Sequence, residues 1–235
     1  MFLEHDFVVW GTLCDCGRDV AVLQNKVFPW SESDFQIKMI CPACGKMVVV
    51  DQGRASDYYS RKILAMYDDV RGTVLDLGCG GGFLTEYVAA KKEVTRVLAI
   101  DPDPGCAEAI NQIPDPEGKI DFRVADASVL GDLAGAGMAG VEAGTPSIDY
   151  LIHRDVFMFI DDPEKYFDDV TKIVRRGIRH VGWFMSGNAR MKNTLEPQQI
   201  LSELEKRGWR AQLHILDWYK CGYYISADKQ VSTLF

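Results

Sequence analysis

Thr73 to Phe83 reads TVLDLGCGGGF, and this stretch decides how the rest of the chain is interpreted. A short apolar strand reaches an aspartate, Asp76, and passes into a cluster of glycines, after which a helical pattern begins at Phe83. Glycine lets the backbone approach a ligand closely and adopt positive φ, while the free N–H groups of the following helix point back at the turn. The stretch therefore predicts a strand, a turn suited to a polar ligand, and a helix.

Strand and helix patterns alternate after this turn, which predicts a parallel, doubly wound sheet. The later strands are expected at Val97 to Asp101, Ile120 to Asp126, Ile148 to His153, His180 to Met185, Ala211 to Leu216 and Cys221 to Ala227. The last two read as an antiparallel hairpin. With the strand at Thr73, these runs predict a Rossmann-like α/β fold with a mostly parallel, seven-stranded sheet.

The helices between these strands are marked by caps and by apolar spacing. One is expected after an N-cap at Ser56, and another over Pro104 to Ile110. A third begins at Asp162-Pro163, with an apolar face of Tyr166, Phe167, Val170, Ile173 and Val174; a fourth runs over Pro197 to Arg207, closed by Gly208. Gly131 to Pro146 is rich in Gly and Ala and predicts a loop or short helix.

Residues 1–53 are predicted to form a separate β module, and residues 54–235 the main domain. The module contains short alternating runs that favour a small antiparallel sheet, together with Cys14-x-Cys16 and Cys41-x-x-Cys44, each pair followed by Gly. Four thiolates make a closed tetrahedral site, so Cys14, Cys16, Cys41 and Cys44 are predicted to bind a structural zinc ion. The module resembles a zinc ribbon, although one half is a shorter C-x-C. The alternative is four thiols without a metal.

The composition is that of a globular protein, with 47% hydrophobic and 26% charged residues. No apolar run reaches the roughly 18 residues of a membrane span, and MFLEHDFVVW lacks a basic region before its apolar residues, so we expect a cytoplasmic protein. The net charge of −8 weighs against a nucleic-acid substrate. Thr171 to Arg210 departs from this balance, with nine Lys/Arg against three Asp/Glu. This stretch predicts either a basic patch or ordinary solvated helix surfaces.

Three aspartates, Asp76, Asp101 and Asp126, lie at the ends of predicted strands and therefore at one edge of the sheet, where doubly wound folds bind ligands. Asp101 lies 19 residues after Gly82, which suits hydrogen bonds to ribose hydroxyls. A dinucleotide site is disfavoured because Phe83 stands where the last glycine of G-x-G-x-x-G would fall. A Walker-type loop is excluded because no Gly-Lys-Ser/Thr follows. The pattern favours a cofactor that contains adenosine.

Residues 56–227 resemble the class I S-adenosylmethionine-dependent methyltransferases, in the branch that acts on small molecules. VLDLGCGGG is similar to the first motif of that family, AIDPDP to the second and VADASVL to the acidic third. DYLIHRDVFMFIDDP is similar to its fourth-strand region, and the closing hairpin also fits. The resemblance implies a methyl-transfer enzyme that binds S-adenosylmethionine through Asp76, Gly78, Cys79, Gly80, Asp101, Pro102, Asp126 and Ala127.

Seven of these eight residues have a more specific implied role. Gly78 and Gly80 would pass close to the methionine moiety, with Cys79 as a small neutral residue between them. Asp76 would organise the loop and the amino group, and Asp101 would bind the ribose. Asp126 would accept a hydrogen bond from the adenine amino group, with Ala127 supplying a backbone contact.

The methyl acceptor is not specified by these motifs, although a small molecule is favoured over RNA. His153, at the tip of the fourth strand, is the candidate catalytic residue, and it is placed with Arg154 and Asp155 to orient an acceptor or take a proton. The alternative is a packed histidine at the strand end. Two other functions stay open: an RNA-base methyltransferase that uses the zinc module to contact RNA, and a non-catalytic adaptor that binds S-adenosylmethionine.

Overall fold

The computed structural model describes residues 7–25, 36–51, 60–133, 148–216 and 221–229. The first two ranges form two β-hairpins, β1 (Phe7–Leu13) with β2 (Asp19–Asn25) and β3 (Gln36–Ile40) with β4 (Met47–Asp51). The sequence predicts one small antiparallel sheet here. The structure instead has two separate two-stranded sheets, whose turns both carry a cysteine pair.

The remaining strands form one seven-stranded sheet, which confirms the predicted fold class. They are β5 (Gly72–Leu77), β6 (Val94–Asp101), β7 (Ile120–Val124), β8 (Ile148–Arg154), β9 (Val174–Trp183), β10 (Trp209–Leu216) and β11 (Gly222–Lys229). Their order across the sheet is β10-β11-β9-β8-β5-β6-β7. The pairs from β7 to β9 are parallel, and β11 runs antiparallel to both of its neighbours.

Helices cover both faces of this sheet, as expected for a doubly wound fold. Residues 60–65 belong to α1, and the others are α2 (Phe83–Ala89), α3 (Cys106–Asn111), α4 (Leu130–Leu133), α5 (Pro163–Ile173) and α6 (Pro197–Lys206). Short 3-10 turns occupy Ala127–Val129 and Phe157–Phe159. The predicted cap at Ser56 lies outside the described residues, as does the greater part of the predicted loop at Gly131 to Pro146.

Local sequence determines where α5 begins, and strand pairing determines where it ends. Asp162 accepts a hydrogen bond from the Lys165 N–H and Pro163 occupies the first turn, as predicted for the start of this helix. The predicted end is wrong, because Val174 already belongs to β9 and pairs with Ile148 of β8. The strand therefore starts six residues before the predicted His180.

The central strands are buried on both faces, which explains their continuous apolar runs. Val74, Leu75, Leu98, Ile100 and Leu151 each have no exposed surface. No helix in the ranges that the structure describes is long and apolar enough to cross a membrane.

Candidate cofactor site and cysteine cluster

The glycine loop after β5 is held by hydrogen bonds to the neighbouring strand. The N–H groups of Gly78 and Cys79 donate to the carbonyl of Ile100 over 2.8 and 3.1 Å. The N–H of Gly80 donates to Oδ2 of Asp101 over 2.9 Å. Gly78, Gly80 and Gly82 have positive φ values of 68°, 51° and 86°. The loop therefore uses glycine for its backbone conformation, and it is fastened to the end of β6 before any ligand binds.

The loop has one closed side and one open side. A Cβ on Gly78 would lie 2.5 Å from Cγ2 of Val156, and a Cβ on Gly82 would lie 2.6 Å from Cδ1 of Ile113. At Gly80 and Gly81, by contrast, a Cβ would meet nothing within 4 Å. Gly78 and Gly82 pack against the protein, while the backbone at positions 80 and 81 faces open space that a ligand can fill.

Asp101 and Asp126 lie at the same edge of the sheet, where the sequence places them. The second oxygen of Asp101, Oδ1, accepts a hydrogen bond from the Asp103 N–H over 2.9 Å. Asp126 is exposed and caps the next turn by accepting from the Ser128 N–H over 2.8 Å. Hydrogen bonding from Ser128 lowers the pKa of Asp126, so the carboxylate is ionised at neutral pH.

Asp76 differs from the other two aspartates because it is only 1% exposed. Its Oδ2 accepts a hydrogen bond from the hydroxyl of Thr85 in α2 over 2.6 Å. Burial raises the pKa of Asp76 to about 7, against the opposing effects of the Thr85 hydrogen bond and the positive charge of Arg154. Asp76 therefore lies beneath the loop, and its charge changes near neutral pH.

A cavity of about 330 Å³ opens beside these residues, at the carboxyl end of β6 and β7. Three residues predicted to bind the cofactor, Pro102, Asp126 and Ala127, contribute to its wall. Phe159, Ile160 and Tyr166 supply an apolar side. The cavity has the mixed apolar and polar lining that small-molecule sites usually show.

Comparison with known proteins identifies the family. Residues 75–181 match the family described as "Methyltransferase domain", a range that runs from β5 into β9 and includes the glycine loop. Residues 75–181 form a methyltransferase domain. This match confirms the predicted class, an S-adenosylmethionine-dependent methyltransferase. A search of proteins with curated functions returned no significant match.

Solved structures support the same fold at low sequence identity. An S-adenosylmethionine-dependent methyltransferase from Aquifex aeolicus is 16% identical, with 73% of this chain and 89% of that chain covered and a TM-score of 0.53. The N-methyltransferase NodS from Bradyrhizobium japonicum is 12% identical, with coverages of 75% and 97% and a TM-score of 0.55. The Haemonchus contortus phosphoethanolamine N-methyltransferase 2, solved with S-adenosylhomocysteine, is 13% identical, with coverages of 74% and 53% and a TM-score of 0.57.

Within the methyltransferase domain, His153 is placed at the end of β8, but its ring has no exposed surface. Its Nε2 shares a 3.0 Å hydrogen bond with the Tyr166 hydroxyl, and its ring centroid lies 4.2 Å from that of His180. Nδ1 has no hydrogen-bond partner among the residues that the structure describes. Burial lowers the pKa of His153 to about 3, so the ring is neutral. This environment favours the packed histidine over the catalytic one.

Thr85 was missed by the sequence reasoning, although it contributes to the site, and Arg154 was predicted only as a residue that orients an acceptor or takes a proton. Thr85 holds the carboxylate of Asp76. Arg154, next to His153 in sequence, places its guanidinium carbon 4.6 Å from the centroid of the Phe83 ring at the start of α2. The available signal for Thr85 was its chain position, in the first turn of the helix that follows the glycine loop.

The cysteine pairs of the N-terminal hairpins come together, as predicted. The four Sγ atoms of Cys14, Cys16, Cys41 and Cys44 lie within 4.8 Å of one another. Two of the separations are 3.6 Å, between Cys14 and Cys44, and 3.7 Å, between Cys16 and Cys41. A zinc ion with four Zn–S bonds of about 2.3 Å needs sulfur separations of about 3.8 Å. The cluster is compatible with such an ion, and none of these cysteines forms a disulfide.

Backbone hydrogen bonds shape each cysteine turn. The Gly17 N–H donates to the Cys14 carbonyl over 2.8 Å, and the Gly45 N–H donates to the Cys41 carbonyl over 2.9 Å. Both glycines have positive φ, 81° and 70°. This conformation explains why each pair is followed by glycine, and it turns the two thiols of a pair towards the same side.

Proposed function

We propose that this chain transfers a methyl group from S-adenosylmethionine to a small-molecule acceptor. The observation that carries the proposal is the glycine loop itself. Its backbone faces open space at Gly80 and Gly81, and the neighbouring cavity is lined by Pro102, Asp126 and Ala127. An open glycine loop beside a cavity of mixed polar and apolar lining suits a ligand with an adenine ring at one end and an amino-acid group at the other.

The residues present suggest an orientation for the cofactor. Pro102 and Ala127 would contact the adenine ring, with Asp126 accepting from its amino group. Asp101 would bind the ribose, since each of its oxygens accepts one hydrogen bond in this structure and retains a second lone pair. The amino-acid part would cross Gly78, Cys79 and Gly80, above the carboxylate of Asp76.

The chemistry asks mainly for orientation. When bound, S-adenosylmethionine supplies a methyl group already activated by its sulfonium. The protein has to hold the acceptor in line and exclude water, and a base is required only if the nucleophile must lose a proton. His153 does not reach an acceptor in this structure, because its ring is fully buried. We therefore propose that His153 supports the end of β8. Its direct participation in methyl transfer stays a prediction.

The charges of the domain favour a small molecule over RNA. Six of the nine basic residues between Thr171 and Arg210 form ion pairs with acidic side chains: Arg175, Arg176, Arg179, Lys192, Lys206 and Arg207. A phosphate backbone binds through basic side chains that exchange counterions. Paired side chains are poor partners for such a backbone.

We further propose that residues 1–53 form a structural zinc module joined to a methyltransferase domain at 54–235. The donor set of four cysteines supports this role, because four thiolates around a zinc ion leave no open position for catalysis. Zinc binding would supply folding free energy to two short hairpins, since two of the four buried apolar residues in the described part of the module, Cys14 and Cys41, are themselves predicted zinc ligands. We also propose a cytoplasmic location, on the basis of the reduced cysteine pairs.

Calorimetry with S-adenosylhomocysteine tests the cofactor site. Ala127→Leu places three extra carbons in the cavity wall and should weaken binding at least tenfold. Ala90→Leu, at an exposed position after α2, is the matched control and should leave the affinity unchanged. No binding to the wild-type chain would overturn the proposal. Equal affinities for wild type and Ala127→Leu would overturn the assignment of the adenine subsite.

Methyl transfer is tested with labelled S-adenosylmethionine and cell extract separated into RNA, protein and small-molecule fractions. Label in the small-molecule fraction supports the proposal. Label in RNA would replace the acceptor with RNA, and would predict binding to RNA that weakens steeply with salt. Cofactor binding without label in any fraction would favour the adaptor function.

A further inference from the structure

Arg154 is a cation held in place at the edge of the cofactor site. It is the last residue of β8, and its side chain is 34% exposed. The guanidinium carbon lies 4.6 Å from the centroid of the Phe83 ring, a distance at which a cation is attracted to an aromatic face. Its one ion pair among the described residues is with Asp155, whose Oδ2 lies 3.9 Å from Nε. The Phe83 ring holds the guanidinium on one side, and about a third of the side chain stays exposed to a ligand.

The N–H donors of Arg154 are unused within the described ranges, where its side chain forms no hydrogen bond. Other arginines of low exposure in this domain are fully engaged. Arg179 donates to Asp69 and Asp228. Arg207 donates to Glu164, Asp168 and Glu203. An arginine has five N–H donors in a planar fork that matches a carboxylate. Arg154 thus has the properties of a preorganised receptor for an anion.

The position of Arg154 indicates which anion it meets. Ile152 pairs with Asp76 between β8 and β5, and Arg154 follows Ile152 by two residues, as Gly78 follows Asp76. Phe83, its stacking partner, directly follows the glycine loop. The guanidinium therefore lies beside the part of the loop that we assign to the amino-acid portion of the methyl donor. That portion carries an ammonium and a carboxylate. The site offers one carboxyl group, Asp76, for the ammonium and one cation, Arg154, for the carboxylate.

We infer that Arg154 binds the carboxylate of the amino-acid portion of S-adenosylmethionine, through guanidinium N–H groups that stacking on Phe83 holds at the mouth of the glycine loop. The inference rests on the proposed function. It also explains why Phe83 stands where a dinucleotide fold has glycine: an aromatic ring at the start of α2 holds the cation. An acceptor carboxylate is the other source of the same chemistry, and the ligands below separate the two.

The test measures dissociation constants by calorimetry for three ligands. S-Adenosylhomocysteine has both charges, its decarboxylated analogue keeps only the ammonium, and 5′-methylthioadenosine lacks the whole amino-acid group. The wild-type chain should bind S-adenosylhomocysteine about 10- to 100-fold more tightly than the decarboxylated analogue, the range expected for a charge-assisted pair. Arg154→Gln should remove this preference while leaving the affinity for 5′-methylthioadenosine unchanged, which also shows that the variant is folded.

Two further variants sharpen the result. Arg190→Gln removes an equal charge from an exposed loop after β9 and should keep the preference for the carboxylate. Arg154→Lys keeps the charge but loses the planar fork, and should retain part of the preference. If Arg154→Gln binds S-adenosylhomocysteine as tightly as the wild type, the inference is overturned and the arginine is assigned to an acceptor. If it weakens all three ligands equally, its role is structural and the inference also fails. Absence of binding to the wild type would instead refute the proposed function.

Discussion

Replacement of Gly78 by alanine tests whether the closed side of the glycine loop is fixed by packing. The new Cβ would lie 2.5 Å from Cγ2 and 3.4 Å from Cγ1 of Val156, at a position with φ of 68°. The left-handed conformation costs an alanine about 1–2 kcal/mol, and overpacking adds about 1–3 kcal/mol. Gly78→Ala should therefore lower the free energy of unfolding by about 2–5 kcal/mol, measured by urea denaturation.

Gly80→Ala provides the matched comparison, because its φ is 51° but its Cβ would meet nothing within 4 Å. We expect only the conformational cost of about 1–2 kcal/mol. The added methyl group would nevertheless point into the space assigned to the cofactor, so calorimetry should show that S-adenosylhomocysteine binds at least fivefold more weakly.

Val156→Ala completes the argument as a double-mutant cycle with Gly78→Ala. It removes both Cγ atoms and leaves the Val156 Cβ at 3.5 Å, an ordinary contact. The two substitutions together should be about 1–3 kcal/mol more stable than the sum of the single effects predicts. Equal destabilisation by Gly78→Ala and Gly80→Ala, or strict additivity of Gly78→Ala with Val156→Ala, would refute the reasoning.

Three further predictions concern charge and metal. Burial lowers the pKa of His153 and of His180, so unfolding takes up protons below pH 6.5 and the free energy of unfolding falls as pH falls, by about 1.4 kcal/mol per pH unit for each ring. In urea titrations, His153→Asn should make the dependence of this free energy on pH shallower between pH 6 and 4, and an unchanged dependence contradicts this. Asp76 acts in the opposite sense, because its raised pKa means that stability falls as pH rises towards 7. Its ionisation should also tighten binding of S-adenosylhomocysteine by up to about tenfold per pH unit below pH 7, and this dependence should be absent in Asp76→Asn. Elemental analysis should find about one zinc per chain, lost in Cys41→Ser and kept in Cys106→Ser; metal-free wild-type protein would rule the site out.

The sheet was predictable because local pattern and tertiary role agree in this domain. Buried parallel strands need continuous apolar runs, and the runs that end at Asp76 and Asp101 stop where the ligand edge begins. The start of β9 was missed because Val174 satisfies both the helical spacing of α5 and the pairing with β8. Only the contact with Ile148 decides between them, and that contact joins residues far apart in sequence.

The chemical state of the site residues was less predictable than their positions. Asp101 and Asp126 both lie at the expected edge, yet the sequence does not show that Asp101 already holds the Gly80 N–H. The burial of His153 depends on Tyr166 from α5, on His180 from β9 and, through His180, on Tyr223 from β11. The ring is buried only when four separate segments pack together. The residues next to His153 in the sequence therefore do not show whether it is buried.

The burial of His153 also constrains the acceptor. The neutral ring of His153 is buried, bonds Tyr166 and lies against the tilted ring of His180, so it is poorly placed to take a proton from a bound molecule. Its backbone carbonyl is already bonded to the Tyr67 hydroxyl over 2.9 Å. These contacts make the end of β8 rigid, which helps to hold Arg154 and the adjoining turn in place. Methyl transfer from a sulfonium proceeds without a base when the attacking atom already has a free lone pair. The site therefore favours acceptors whose nucleophile is unprotonated at neutral pH, or loses its proton to water after transfer, over acceptors that need a histidine base.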